Sequence, residues 1–364
     1  MTKPMTILDS EQTNTYDALL IVSFGGPEGM DDVIPFLENV LRGRNVPRER
    51  LVEVSRHYAL FDGVSPINAQ NRALIKALEV ELAEHGPTLP IYWGNRNWHP
   101  MLEQTMEQMK EDGIKKVLTF FTSMFSSYSG CRQYREDLYR TSQVVAPYTF
   151  DFDKIRMAYN HPGYIQPNVE NVQAAFEQIP SARREDVHLA FTAHSLPMGM
   201  AANCAYEAQL AESSQLVAEE VGVKNWQLVY QSRSGPPQQP WLEPDICDHL
   251  EVLHAQGVED VVILPIGFIS DHMEVIYDLD TEAKELCQSL GLNMIRAATV
   301  GTHPRFVQMI RELIVERTSD SPNRLVLGTR GANHDICGPN CCLSGRPGEP
   351  KPTVAQLPSM LAKQ

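Results

Sequence analysis

Four groups of residues in this chain of 364 have types and spacing suited to chemistry. His194 stands in Phe191-Thr-Ala-His-Ser-Leu-Pro197, at the exit of a very apolar stretch. A neutral imidazole at the carboxyl end of a buried strand faces a cleft, where it can act as base or metal ligand; a capping or core role is the bland alternative. Glu274, Asp278 and Glu282 recur at four-residue intervals after Pro265-Ile-Gly-Phe-Ile-Ser-Asp-His272. That spacing stacks three carboxylates on one helical face. Like charges so placed repel, so a structural helix gains nothing from them, whereas a row of hard oxygen ligands suits a divalent cation or its path. Against this, Ser270 or Asp271 can cap the helix, and Asp271-x-x-Glu274 has the spacing of a capping box. Cys337, Cys341 and Cys342 fall within six residues near the end of the chain, while Cys131, Cys204, Cys247 and Cys287 are scattered. Seven cysteines is an odd number for a disulfide scaffold, so the terminal cluster calls for another chemistry. Phe24-Gly-Gly-Pro27 permits close approach of backbone to a ligand, or is a plain tight turn. It is not a G-x-G-x-x-G, and no G-x-x-x-x-G-K-[ST] occurs, so nucleotide binding has little support.

These residues sit in a strand-then-helix rhythm. The continuous apolar run 18–24 predicts a strand buried on both faces, broken by Gly25-Gly26-Pro27 and followed by a helix over 31–41. Helix 71–85, strand 90–94, helix 101–112 and strand 116–122 follow. The pattern restarts with strand 187–192, helix 205–221, strand 226–231, helix 243–256 and strand 260–268, then a helix from about 271 to 290, strand 293–297 and helix 304–316. Such alternation predicts an α/β protein of two similar doubly wound domains, each with a mainly parallel sheet, linked near Pro147–Pro162, with Pro147, Pro162 and Pro167 as turn punctuation. From about Thr318 the pattern fades into a Pro/Gly/Ser/Asn-rich extension, and 344–364 reads as mobile. Hydrophobic residues at 43% and charged residues at 21% are ordinary for a globular chain. A net charge of −15 without any basic run argues against nucleic acid. No apolar run is long enough to form a transmembrane segment, and the polar N-terminus carries neither a secretory nor a transit signal, so the expected compartment is the cytoplasm.

Seven motifs, in order along residues 17–315, together carry a family resemblance: Ser23-Phe-Gly-Gly-Pro27, Arg42-Gly-Arg44, Gly63-Val-Ser-Pro66, Ala193-His-Ser-Leu-Pro197, Gln231-Ser-Arg-Ser-Gly235, Trp241-Leu-Glu-Pro-Asp245 and the run from Gly267 to Asp278. The chain resembles the ferrochelatases, most of all the actinobacterial-type coproporphyrin ferrochelatases. The resemblance implies two four-stranded parallel α/β domains with a porphyrin in the cleft between them. It assigns His194 and Glu274 to the pair flanking the inserted iron. Ser65 and Tyr134 match positions that contact porphyrin carboxylates, and Arg42 and Arg44 match a basic segment nearby. Phe24 stands where one branch of the family has a tyrosine able to ligate the product iron; a phenyl ring has no oxygen, so Phe24 is not counted as a ligand.

The resemblance also implies a 2Fe–2S cluster, held in a subgroup of the family by three cysteines of a C-terminal extension and one of the body. By that pattern the set is Cys204, which follows the His-Ser-x-Pro motif, with Cys337, Cys341 and Cys342. Four thiolates suit a 2Fe–2S cluster, and zinc accepts the same ligands. Cys131, Cys247 and Cys287 are then small buried hydrophobes. The expected activity is insertion of Fe²⁺ into coproporphyrin III in haem biosynthesis. His194 takes pyrrole protons, Glu274 delivers the metal, and Asp278 and Glu282 form its relay. The alternatives are a protoporphyrin ferrochelatase and a non-catalytic haem or iron–sulfur carrier. Expected partners are coproporphyrin III, Fe²⁺ and, transiently, neighbouring haem-pathway enzymes. This reading divides the chain into an extension (1–16), a first α/β domain (17–155) joined by the C-terminal helix (about 303–317), a second α/β domain (156–302) and a cysteine-bearing extension with a mobile tail (318–364).

Overall fold

A computed structural model describes residues 16–43, 46–235, 238–320 and 322–355. Eight strands form two sheets: β1 (Ala18–Ser23), β2 (Ile91–Asn95), β3 (Lys116–Phe121) and β4 (Asp151–Lys154), then β5 (His188–His194), β6 (Trp226–Gln231), β7 (Asp260–Leu264) and β8 (Asn293–Arg296). Every pairing is parallel, and the orders β2-β1-β3-β4 and β6-β5-β7-β8 are the same pattern repeated. Parallel strands need crossovers, and helices supply most of them. The first unit carries α1 (Met30–Val40), α2 (Arg48–Ala59), α3 (Ile67–His85), α4 (Leu102–Glu111) and α5 (Gln133–Val144). The second carries α6 (Pro162–Glu177), α7 (Met198–Ala201), α8 (Tyr206–Val221), α9 (Ile246–Ala255), α10 (Met273–Tyr277) and α11 (Lys284–Leu290). The final helix, α12 (Pro304–Thr318), packs on α3 of the first unit and α6 of the second.

The central strands read as unbroken apolar runs because both faces are covered. Every residue of β1 and of β7 is buried. One core runs from Leu19, Ile21 and Phe120 through Phe306, Ile310 and Leu313 of α12 to Phe191 and Leu264, so the two units share apolar interior. Each such buried side chain contributes about 1.5–3 kcal/mol.

Two local expectations are corrected. Pro162 and Pro167 are not turn punctuation but part of a helix: Pro162 takes the first helical position, where its missing N–H costs nothing, and Pro167 lies inside α6. The helix expected over 271–290 is not uniform, since a π-helical turn (Asp278–Ala283) separates α10 from α11. Its N-cap is His272, with no side-chain capping bond, and Asp271 turns instead to Arg296. The capping-box role for Glu274 is therefore absent.

Candidate active site and cysteine centre

In doubly wound sheets ligands sit at the carboxyl ends of the strands, where the winding reverses. Phe24 follows β1 and His194 ends β5, the equivalent strands of the two units. Gly267 lets the loop after β7 close on that end of β5, because a Cβ there would lie 2.6 Å from the Ala193 Cβ. His194 Nδ1 lies 2.5 Å from the Ser195 carbonyl, which can only accept, so Nδ1 carries a proton and Nε2 is directed at Glu274. Nε2 stands 3.6 Å from Glu274 Oε1; the imidazole is 30% exposed and the carboxylate 50%.

Burial opposes charge on His194, yet the Glu274 carboxylate overrides it and raises the imidazole to about 9. Burial likewise disfavours the Glu274 carboxylate, and the His194 charge overrides it, lowering Glu274 to about 2. Before iron binds, the two shifts favour an imidazolium–carboxylate pair. Asp278 accepts from Ser232 Oγ and, at 3.3 Å, from Gln231 Nε2, which also bonds the Glu274 carbonyl at 2.8 Å. Burial, with the charges of Glu274 and Glu282 added, pushes Asp278 up to about 7. Tyr277, at the end of α10, stacks its ring on His57 of α2 at 4.0 Å. The first unit therefore reaches over the helix that carries Glu274.

In the first unit, Ser65 is buried beside Gly26, where a Cβ would meet the Ser65 Cβ at 2.7 Å. Tyr134 is buried on α5 and stacks on Phe121 at 5.3 Å. Arg42 is exposed and donates to Asn39 Oδ1 at 2.6 Å, and Arg44 lies outside the described residues. Sequence reasoning missed Arg96. It directly follows β2, carries an ion pair to Asp137 at 2.5 Å, and lies 4.8 Å over the Tyr134 ring and 5.9 Å over Phe24. The strand-end rule that singled out His194 applies equally to Arg96.

The terminal cysteines meet the body of the fold at a different cysteine from the one expected. Cys131, Cys337 and Cys341 pack in one buried cluster, and Cys341 Sγ lies 3.6 Å from Cys342 Sγ. His334 Nε2 joins them, 3.5 Å from Cys337 Sγ and 3.6 Å from Cys341 Sγ. Cys204 instead turns its thiol to the Ala201 and Met200 carbonyls at 3.4 and 3.6 Å, and packs in the other core. The cause is where the extension docks. Buried Arg132 donates to the carbonyls of Pro339, Cys341 and Lys351, and buried Arg135 to those of Val354 and to Thr353 Oγ1. Thr329 and Arg330 donate to Glu212 of α8, but from His334 to residue 355 the extension is bound along the first unit, residues 344–355 of the expected mobile tail included, and Cys131, next to Arg132, becomes the neighbour of Cys337. Cys287 is buried, with Cys247 packed against the same cluster, as small hydrophobes would be.

Two like α/β units, with an imidazole and a carboxylate opposed at a strand end, define a metal chelatase. The chain belongs to the ferrochelatase family, whose model matches residues 16–318. It is 56% identical over 329 residues to a ferrochelatase of Rhodopirellula baltica, covering 90% of this chain and 93% of that one. It is 50% identical over 361 residues to a coproporphyrin III ferrochelatase of Streptomyces coelicolor, covering 93% and 96%. Among solved structures, SirB from Bacillus subtilis with Fe³⁺ shares the fold at a TM-score of 0.51 and 14% identity, over 82% of this chain and 96% of that one. Among the described residues no helix is long and apolar enough to cross a membrane.

Proposed function

We propose that this ferrochelatase inserts Fe²⁺ into coproporphyrin III, in the cytoplasm, with His194 and Glu274 as its catalytic pair. The opposition of the two side chains across 3.6 Å carries the reading, and the relatives named coproporphyrin III ferrochelatases support the choice of porphyrin. The macrocycle occupies the cleft, with its carboxylates toward Ser65, Tyr134 and Arg42; Arg96, which lies against Tyr134, adds a cation to that side. Fe²⁺ is held by Glu274, with Asp278 and Glu282 outward of it as a relay of hard oxygens.

The paired charges give the reaction an order. An imidazolium cannot accept a pyrrole proton. Once Fe²⁺ takes up the charge of Glu274, the largest effect offsetting burial of His194 is gone; the imidazolium releases its proton to solvent more readily and the neutral imidazole can then act as a base. Glu274→Gln mimics that step, so in NMR titrations His194 is expected to fall from about 9. An unchanged value would remove Glu274 as the cause.

Anaerobic assays with Fe²⁺ and each porphyrin test the substrate. Coproporphyrin is expected to bind at least tenfold tighter than protoporphyrin, about 1.4 kcal/mol, because its additional carboxylates meet the donors above. Equal affinity and equal turnover would overturn the choice; stoichiometric binding without turnover would make the protein a carrier.

The cysteine centre is read as a 2Fe–2S site with Cys131, Cys337, Cys341 and Cys342 as ligands. The donor chemistry suits a metal centre: among the described residues His334, Cys337 and Cys341 have ligand atoms all within 4.8 Å of one another, Cys131 shares their buried cluster, and Cys342 Sγ lies 3.6 Å from Cys341 Sγ. Four thiolates spread wider than that suit two irons better than one tetrahedral ion. When bound, the cluster supplies a cross-link between the extension and the first unit. His334 is near enough to hydrogen-bond two of the sulfurs.

A further inference from the structure

Glu274 is carried by α10, a helix of five residues. It runs on without a break into the π turn Asp278–Ala283 and α11, but no capping side chain holds its start. Besides the Gln231 bond to the Glu274 carbonyl and the His57–Tyr277 stack, a side chain of β8 holds the segment. Arg296, at the end of β8, donates from Nη1 to Asp271 Oδ1 at 3.1 Å and from Nη2 to Asp271 Oδ2 at 3.2 Å. Its Nε donates to Asp280 Oδ1 at 2.6 Å. Asp271 precedes α10 and Asp280 lies in the π turn after it, so a single guanidinium grips both ends of the segment that bears Glu274. Thr299 Oγ1 adds a bond to Asp271 at 3.4 Å, and Gln70 of α3 accepts from the Asp271 N–H at 2.8 Å, which ties the grip to the first unit. The Arg296 side chain is only 17% exposed, so it is shielded from the water that weakens surface pairs.

We infer that Arg296 is a positioning residue for iron insertion, clamping Asp271 and Asp280 so that Glu274 stands opposite His194. The inference rests on reading His194 and Glu274 as the catalytic pair. Without the guanidinium, Asp271 and Asp280 repel across the gap it filled, and the segment bearing Glu274 loses the clamp on both its ends. Lysine restores a charge there but not the planar fork that reaches two carboxylates at once. Arg296 has no contact with Ser65, Tyr134 or Arg96, so porphyrin binding is not its task.

The test is anaerobic insertion of Fe²⁺ by the full chain, comparing wild type, Arg296→Met, Arg296→Lys and His194→Ala. Misplacing a reacting group by about 1 Å can cost a hundredfold. Arg296→Met is expected to lower kcat at least tenfold and raise the KM for Fe²⁺, with the porphyrin KM held within twofold. Arg296→Lys should recover part of kcat. Wild-type kcat in Arg296→Met, or a porphyrin KM that rises as much as kcat falls, would overturn the role. If Arg296→Met does not fold, Asp280→Asn, which frees one end of the clamp, is judged by the same split. Turnover by His194→Ala would overturn the catalytic pair itself. An inactive His194→Ala beside an unimpaired Arg296→Met would overturn the clamp alone.

Discussion

His194→Ala is expected to abolish iron insertion while coproporphyrin still binds within about tenfold of wild type, roughly 1.4 kcal/mol. The two effects separate because the side chain has one task. Its Nε2 faces Glu274, and its Nδ1 is committed to the Ser195 carbonyl. The groups read as holding the porphyrin's carboxylates, Ser65 and Tyr134, belong to the other unit, so the anchoring side is untouched. General-base catalysis contributes about 10²–10⁴-fold. Here the same imidazole also balances the Glu274 charge, so the loss should lie at or beyond the upper end of that range. Anaerobic turnover by absorbance, with porphyrin fluorescence for binding, checks both halves. Turnover within tenfold of wild type would show that another group takes the pyrrole protons.

Cys131→Ser is expected to remove the visible iron–sulfur absorption, whereas Cys204→Ser keeps it. Cys131 is buried in the same cluster as Cys337, while Cys204 is bonded to carbonyls of its own turn. Single serine variants of Cys337, Cys341 and Cys342 should behave like Cys131→Ser, and those of Cys247 and Cys287 like Cys204→Ser. Metal binding and folding are coupled wherever ligands come from separate segments. Loss of the cluster should therefore lower the melting temperature by several degrees and expose the extension to protease, without stopping chemistry in the protein that stays folded. Iron and sulfide analysis of the same samples decides the metal. A full cluster in Cys131→Ser, or zinc without sulfide in the wild type, would show the ligand set or the metal to be wrong.

Local pattern revealed the sheets and one wall of the site. Strand β6 has the span that periodicity predicts, 226–231, and the apolar runs of β1 and β5 marked the strands whose ends carry Phe24 and His194. Where partners come from far along the chain, local pattern was silent. Helix α5 reads Gln-Tyr-Arg-Glu-Asp-Leu-Tyr-Arg, with so little apolar periodicity that its buried Tyr134 and Arg135 do not stand out. Cys131 looked like one more small hydrophobe because nothing near it in sequence is a metal ligand. Its neighbour Cys337 reaches it only when the extension is laid along the first unit. The acidic row was visible by spacing, but its π turn was not, since a wide turn is imposed by packing rather than by any residue preference. The raised pKa of His194 likewise depends on a contact between two elements, and no motif encodes that.

The extension is held mainly through its main chain. Beneath it lie four buried cations, Arg132, Arg135, Lys154 and Arg156, and they donate to the carbonyls of Pro339, Cys341, Lys351, Val354, His334 and Leu325. A carbonyl is present whatever residue bears it. The extension is therefore free to drift in evolution, exchanging side chains and small insertions, provided that the cysteines persist and the row of cations beneath does not change. Selection should be visible on the groove rather than on the strand that fills it, with Arg132 and Arg135 fixed in lineages whose extensions no longer align. For engineering, the corollary is that a foreign segment with suitably spaced carbonyls and thiols could be laid in the same groove.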